Sequence, residues 1–355
     1  MSKAAELAAL IGSQTALSNR NLVINGAAEV YQRGAATTTH NGYAVDRWQH
    51  KGSNSTASTS SQDTDAPAPF INSIKFAAGG ASSGAAEVAG LCQRIEGNAM
   101  TSLGWGTSAA QPATLSFYVK SSVTGTYAVS ARNNGTDQSY INTYTISSAN
   151  TWEYKTVTFD ARTTGTWLTT NGIGMRLWFD LGSGSNFDGT AGSWTTNNHL
   201  TVSSQADVVG TSSATWFVTG VQLEVGEQAT PFEHRSFGDE LSACQRYFTK
   251  SYNQGTAVAT ATVVGAVYKI MDANMNYGTE NVVFPCSMRA TPTVGIYSPV
   301  TGALGKFDSN TNGGTTDLNL TTANIGDNGF SGQSNNQAVG ATAYMRWHYT
   351  ASAEL

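Results

Sequence analysis

The sequence predicts a mainly β protein, in which a short N-terminal helix precedes a jelly-roll-like antiparallel sandwich, a short connecting helix and a smaller C-terminal β module. Charged residues make up only 12% of the chain, and the abundance of Ser, Thr, Asn, Gly and Ala favours short strands and turns. Many short segments of strand type follow one another, separated by Gly, Asn, Ser or Asp. No long helical period intervenes between residues 21 and 233, which favours an antiparallel sandwich.

The predicted strands of the sandwich start with NLVIN at residues 21–25 and EVYQRG at residues 29–34. The later candidates are YAVDRWQH, SIKFA, ATLSFYVKS, TYAVSAR, YINTYTI, TWEYKTVTFD, IGMRLWFDLG and ATWFVTGVQLEV. In the last of them apolar and polar side chains approximately alternate, as in a strand buried on one face. Residues 183–209 have weak periodicity and many small polar residues, which predicts a long surface loop.

A second strand-rich region follows a short helical pattern that opens near Ser236, where Ser236 and Asp239 have the side-chain oxygens needed to satisfy the free amides of a helix start. Its strand candidates include NVVFPCSMRA, TPTVGIYSP and the final AVGATAYMRWHYTASAEL. The predicted parts of the chain are a helical anchor at residues 1–19, the sandwich at residues 20–235, a linker helix at residues 236–250 and a C-terminal β domain at residues 251–355.

The N-terminal segment SKAAELAALIGSQTAL is rich in strong helix formers, with Leu7 and Ile11 on one face. A helix this short is marginal alone in water. We therefore expect it to associate with copies of itself or to insert into another protein, which makes Leu7 and Ile11 candidate attachment residues. A simple cap on its own domain is the alternative.

Charge and cysteine usage exclude several classes of function. The net charge of −5 leaves no basic stripe for nucleic acid. No apolar run is long enough to span a bilayer or to serve as a signal peptide, so we expect synthesis in a cytoplasm. Cys92, Cys244 and Cys286 form no closely spaced pair and are interpreted as small buried side chains.

The sequence offers few groups for catalysis. The five His residues are scattered, and no nucleophile motif, phosphate loop or dinucleotide fingerprint is present. Asp63 with Asp65, or Asp160 with Asp180, would supply a glycosidase pair only if they converged. Solvated or turn-forming carboxylates are the ordinary alternative, so we expect a protein that is not an enzyme.

Aromatic residues indicate a different activity, because an exposed ring can stack on the apolar face of a sugar. Most of these rings are expected in the core. Trp105, between two glycines, and Trp194, within residues 183–209, lie outside the strand patterns and are the candidate glycan-binding residues.

Several strings resemble a family of phage tail-fibre and related virion appendage proteins. They are NLVINGAAEVYQRG, YAVDRWQH, TGVQLEVGEQATPFEHRSFGDELSACQRYF, FPCSMRATPTV and the final YTASAEL. The resemblance covers most of the chain. It implies a short N-terminal helix, a carbohydrate-binding-module-like sandwich and a C-terminal β module, assembled as a homotrimer in the virion.

The sandwich is more distantly similar to modules whose first strand reads N-G-x-x-E and holds a structural calcium ion near the glutamate. Asn25, Gly26 and Glu29 match that spacing. Thr219 and Gly220 stand where those modules have a carboxylate pair, so the ligand set at Glu29 is short. No other cofactor is expected.

The leading hypothesis is therefore a structural protein of a tailed phage, a tail fibre attached through its N-terminus to other virion proteins and contacting host-surface glycans. A head fibre or capsid decoration protein is compatible with the same resemblance. A free glycan-binding module and a polysaccharide depolymerase are the competing functions.

Overall fold

The computed structural model describes residues 19–34, 37, 40–52, 57–270, 277–309, 316–335 and 344–355. Within these ranges the predicted fold class is confirmed: the protein is mainly β, with antiparallel sheets and little helix. The chain divides into two compact units. The first contains most of residues 19–236, and the second contains residues 237–354 together with a segment that begins at Val30.

The first unit is built from twelve strands among the described residues. They are β1 (Tyr43–Val45), β2 (Trp48–Gly52), β3 (Thr59–Asp63), β4 (Ser73–Ala77), β5 (Ala89–Glu96), β6 (Ala113–Ser121), β7 (Gly125–Arg132), β8 (Ser139–Ile146), β9 (Glu153–Phe159), β10 (Ile173–Asp180), β11 (Trp194–Thr195) and β12 (Thr215–Val225). Two 3₁₀ turns, Gly97–Leu103 and Ser185–Phe187, lie between them.

These strands form two sheets, each with antiparallel pairing throughout. The seven-stranded sheet has the order β1-β2-β5-β10-β7-β8-β11, and the five-stranded sheet has the order β3-β4-β12-β6-β9. The sheets face each other across one core, in which Phe117 of β6 and Trp216 of β12 pack against Phe179 of β10 at ring-centroid distances of 5.1 and 5.6 Å. The inner residues of each strand alternate with outer ones, as the strand period of two requires.

The prediction of strands at residues 21–25 and 29–34 is wrong. Neither segment forms a strand in the structure. Asn25 in the first segment has a positive φ angle of 60°, and Ala28, just before the second, has one of 55°, which extended strand excludes. The segment instead runs beside β12, where Gly26 accepts a hydrogen bond from the Val221 amide at 3.0 Å. A Cβ at Gly26 would lie 2.1 Å from the Val221 carbonyl oxygen, so only glycine permits this approach.

The prediction of a long surface loop at residues 183–209 is also wrong in part. Leu200 packs against Cys92 and Trp178 on the outer side of the seven-stranded sheet, and Val202 packs there against β7 and β8. The segment contributes β11 as an edge strand, and it therefore covers part of that sheet.

The second unit contains one helix and nine strands in the described ranges. They are α1 (Phe237–Gln245), β13 (Phe248–Lys250), β14 (Val267–Ile270), β15 (Tyr277–Val283), β16 (Thr293–Tyr297), β17 (Lys306–Ser309), β18 (Thr316–Asn319), β19 (Thr321–Ala323), β20 (Gly329–Asn335) and β21 (Tyr344–Ser352). The last strand is central, since it pairs with β13, β14, β16 and β17. A separate three-stranded sheet has the order β15-β20-β19.

The predicted domain boundaries differ from this division at two places. The segment that starts at Val30 was expected in the sandwich, but Gln32 donates to the Phe248 carbonyl at 2.8 Å and Arg33 pairs with Glu354 at 2.9 Å, both in the second unit. The linker helix expected at residues 236–250 is shorter, because the chain passes into β13.

Three further expectations concern single features. The predicted helix at residues 1–19, with Leu7 and Ile11, lies outside the described residues apart from Asn19.

Cys92 and Cys244 are buried as predicted, whereas Cys286 is only half-buried. No helix in the part of the chain that the structure describes is long and apolar enough to cross a membrane.

His50 in β2 makes the stability of the first unit depend on pH. Its ring is buried, stacks on Phe76 at 5.3 Å and lies 2.7 Å from the Ser60 hydroxyl. Burial, with the nearby charges of His40 and Lys51, lowers the pKa of His50 from 6.5 to about 4.

Because the unfolded chain takes up this proton near pH 6.5 and the folded one near pH 4, stability falls as the pH falls through that interval. We expect wild-type protein to lose about 3 kcal/mol more free energy of unfolding across it than His50→Gln does. Urea unfolding at both ends of the interval measures this difference. The same loss in both proteins would contradict a neutral, buried His50.

Candidate functional site

The two tryptophans predicted to bind glycans belong to one cluster of rings. Trp105 meets Trp167 and Trp194 edge to face at centroid distances of 4.7 and 5.1 Å. Trp105 is only 4% exposed, and its indole N–H donates to the Gln111 carbonyl at 2.7 Å. Its ring face is therefore covered by other rings, and the expectation that it lies open to a sugar is wrong.

Trp194 is half-buried rather than free. It forms part of β11, where it pairs with Tyr140, and its indole N–H donates to the Asp160 carbonyl at 3.0 Å. The two candidate glycan-binding residues, Trp105 and Trp194, are therefore close together in the structure. Their rings contact each other edge to face and pack on the core.

The predicted calcium ligand Glu29 is half-buried. Among the described residues, no three His, Cys, Asp or Glu side chains converge as they would around a metal ion. Thr219 and Gly220 occupy the two positions where the calcium-binding modules have a carboxylate pair. The Thr219 hydroxyl donates to the Asn72 carbonyl, and Gly220 lies against the ring of Phe70. The structure thus adds no acidic ligand to Glu29, and calcium binding stays a prediction.

A more open set of rings lies on the outer side of the five-stranded sheet. Around a pocket of about 310 Å³ stand five side chains, called the aromatic face below: Phe70, Tyr118, Tyr154, Phe232 and His234. Tyr154 is 48% exposed and His234 is exposed, so ring surface is available to a ligand. An apolar concave surface with a few polar groups is typical of ligand sites.

The strand period places two of these rings. Tyr118 in β6 alternates with Phe117 and Val119, which enter the core, and therefore points outward. It is directly opposite Tyr154 in β9, and the two rings are 5.0 Å apart with a tilt of 51°. This cross-strand pair forms one wall of the pocket.

Phe70 forms the base of the pocket because β12 leaves room for its ring. The pairing of β12 with β6 shifts register between Thr219 and Gln222, as in a β-bulge. At this bulge Gly220 has a φ of +61°, and a Cβ there would lie 2.6 Å from the Phe70 ring. Phe70 is 8% exposed and contacts Tyr118 at 5.6 Å.

Phe232 and His234 come from the loop after β12, which is held by a buried carboxylate. Glu224 is 4% exposed and accepts hydrogen bonds from the Thr230 amide at 2.8 Å and the Thr230 hydroxyl at 2.7 Å. The Glu233 amide donates to the Gln222 side chain at 2.8 Å. The loop is thereby held on the sheet, with the Phe232 ring 5.1 Å from that of Phe70.

Polar and charged side chains continue the aromatic face along the same sheet. Lys120 lies 4.3 Å from the centroid of the Phe217 ring and 5.2 Å from that of Trp152. It also forms an ion pair with Asp65. The hydrogen bonds from Lys120 and from the Trp152 indole lower the pKa of Asp65, so this carboxyl stays ionised in neutral solution.

The four carboxylates considered for catalysis have different surroundings. Asp63 lies 3.4 Å from Lys75, and Asp65 is paired with Lys120. Asp160 is exposed after β9, whereas Asp180 is wholly buried at the end of β10 in the other sheet. Burial raises the pKa of Asp180, although it accepts hydrogen bonds from the Trp178 indole and the Ser183 amide.

Solved structures with similar sandwiches include a protein from Bacteroides thetaiotaomicron assigned to sugar binding, at 13% identity over 58% of this chain and 99% of its own, with a TM-score of 0.35. The CBM22-1 xylan-binding domain from Paenibacillus barcinonensis aligns at 10% identity over 59% of this chain and 96% of its own, with a TM-score of 0.29. A tailspike fragment of bacteriophage CBA120 aligns at 12% identity over 58% of this chain and 21% of its own, with a TM-score of 0.30.

No family model and no curated protein matches the chain.

Sequence reasoning missed the whole aromatic face. A signal was present for Tyr118, since an aromatic residue on the outward period of a strand has no core to enter. Phe232 and His234 lie in the ATPFEH string, which indicates a module boundary but by itself no site. Nothing in the sequence near Phe70 indicates that its ring would reach β12.

Gly220→Ala tests how the pocket is built. We expect it to cost about 1–3 kcal/mol more than Gly192→Ala, because the new methyl group would collide with Phe70. Gly192 is the matched control, since its φ is +83° and nothing lies within 4 Å of the position that an added methyl group would take. Equal losses of unfolding free energy in urea titrations would show that Phe70 does not pack against β12 as described.

Proposed function

We propose that this chain is a non-enzymatic structural protein of a virion, a fibre or appendage of a tailed phage whose sandwich binds host-surface glycans through the aromatic face. The observation that carries the glycan-binding part is the open pocket between the Tyr118–Tyr154 pair and the Phe232–His234 loop. Sugars present apolar C–H faces that stack on rings and hydroxyl groups that hydrogen-bond to polar tips. Both kinds of partner are available there.

The virion part of the proposal is supported by the resemblance of the sequence to tail-fibre and appendage proteins. The strings that carry it include the residues that position the Phe232–His234 loop, namely Gln222, Glu224 and Thr230. We expect a homotrimer attached by residues 1–19, with Leu7 and Ile11 in the attachment. A head fibre or capsid decoration protein would use the same parts at another place on the particle.

A free glycan-binding module is the second candidate function, because the aromatic face serves it equally well. A depolymerase must release reducing ends from host polysaccharide, whereas the appendage and the free module should release none. The appendage should be incorporated into particles, whereas the free module should not.

Removal of the aromatic rings should weaken glycan binding without unfolding the sandwich. We expect Tyr154→Ala and Tyr118→Ala each to reduce affinity for extracted host-surface polysaccharide about fivefold or more, since one stacked ring contributes about 1 kcal/mol. The measurement is biolayer interferometry with the full-length protein.

Tyr268→Ala is the matched control, because Tyr268 is 56% exposed in the second unit and lies outside the aromatic face. It should bind like wild type. Wild-type affinity in both aromatic-face variants would remove this surface from the proposal, and Trp194 would become the remaining candidate.

Deletion of residues 1–19 tests attachment. We expect the truncated chain to be absent from purified particles while its near-ultraviolet circular dichroism and its glycan binding match those of the full chain. Normal incorporation of the truncated chain would contradict the assignment of residues 1–19 as an anchor. Loss of both incorporation and glycan binding would indicate that the segment supports the sandwich.

A further inference from the structure

The outer side of the seven-stranded sheet carries a second pocket, of about 220 Å³, with a different character. Its charged lining is basic: Lys51 of β2, Arg132 of β7 and Arg176 of β10, with His40 beside them. Trp178, Phe187 and Leu200 supply apolar walls. These residues are called the cationic pocket below.

The arginines of this sheet stand in a row. Arg176 is directly opposite Arg94 of β5 on one side and Arg132 of β7 on the other. Like charges in directly opposed cross-strand positions repel each other and destabilise a sheet. A fold selected for stability alone would place neutral or acidic side chains at one of these positions.

The cations of the pocket are held by neutral amides. Lys51 donates to the Asn41 side chain, Arg132 to that of Asn198, and Arg176 to that of Asn134. None of the ion pairs found among the described residues involves these three cations.

Arg132 is the most constrained of them. It is 7% exposed, its guanidinium lies 5.6 Å from the Trp178 ring, and its buried Nε has no hydrogen-bond partner. The buried Nε of Arg176 has none either. Asp180 acts on Arg132 over a distance, but its carboxylate already accepts hydrogen bonds from the Trp178 indole and the Gly182 amide.

The pKa values reflect this crowding. Burial first, and then the charges of Arg94, Arg176 and Arg132, lower the pKa of Lys51 to about 8, an effect that Cys92 partly offsets. Burial and the neighbouring arginines lower the pKa of Arg132 to about 10. An anion placed among these groups would relieve the repulsion.

We propose that the cationic pocket binds the oxyanion of an acidic sugar unit, a carboxylate or phosphate group carried on a sugar ring. The guanidinium groups match the two oxygens of such a group. The half-buried Phe187 ring supplies an apolar surface for the sugar ring that carries it. The volume suits one charged unit rather than a chain, since it lies below that of typical drug-sized sites. This site is on the opposite sheet from the aromatic face and does not depend on it.

Isothermal titration calorimetry on the full-length protein tests the proposal, with trigalacturonate, glucose phosphate, inorganic phosphate and the neutral galactotriose as probes. We expect at least one of the two acidic saccharides to bind more tightly than inorganic phosphate, and galactotriose not to bind here. Arg132→Gln and, separately, Arg176→Gln should weaken that binding by about thirtyfold. Lys306→Gln, which removes one positive charge from a half-buried residue of the second unit, should leave it unchanged.

Thermal melts of the same proteins separate binding from folding. Because each arginine variant removes one of several mutually repelling charges, its melting temperature without ligand should equal or exceed that of wild type. Wild type alone should gain stability from the acidic saccharide. The proposal is overturned if neither acidic saccharide binds, if inorganic phosphate binds at least as tightly as the tighter-binding acidic saccharide, or if both variants keep wild-type affinity.

Discussion

The bulge in β12 is the constraint on which the binding surface depends. β12 lies between β4 and β6 in the middle of the five-stranded sheet, and Val218, Val221 and Leu223 enter the core from it. Between the first two of these the bulge places Gly220 with a positive φ, so the chain keeps apolar residues inside on both sides of the irregularity.

The same bulge has a consequence on the outer face. Without a Cβ at Gly220 the Phe70 ring can lie against the strand, and beyond it Gln222 and Glu224 turn outward to hold the following loop. A buried carboxylate is costly unless it is well hydrogen-bonded, and the Thr230 amide and hydroxyl meet that need. The hydrogen bonds of Gln222 and Glu224 with the loop after β12 therefore also fix the positions of Phe232 and His234.

The two outer faces of the sandwich differ in chemistry. The five-stranded sheet carries rings with a paired lysine, whereas the seven-stranded sheet carries Arg132 and Arg176, which form no ion pair among the described residues. Residues 183–209 contribute Phe187, Asn198 and Leu200 to the second pocket, which a free surface loop would not do. Folding stability alone explains neither the outward rings of one sheet nor the adjacent arginines of the other. Residues at ligand sites are commonly not the ones that would make the fold most stable.

The sequence predicted the sandwich from local period and composition, and its strands from SIKFA to ATWFVTGVQLEV lie where β4 to β12 are found, apart from the missed β5 and β11. Residues 21–25 were mistaken for a strand because apolar content does not reveal that Asn25 adopts a positive φ. The exposure of Trp105 was predicted wrongly for a related reason. Its flanking glycines indicated a loop, but in the structure its ring packs against Trp167 and Trp194. Long-range ring contacts such as Phe70 with Gly220 are invisible to any local pattern.

Oxidative footprinting with mass spectrometry, on the full-length protein with and without extracted host-surface polysaccharide, tests whether the aromatic face binds glycan. We expect bound glycan to protect Tyr118, Tyr154 and His234 from oxidation and to leave Tyr268 unchanged. Protection of Trp194 with no change at the aromatic face, or no protection anywhere while the protein still adheres to host cells, would contradict it.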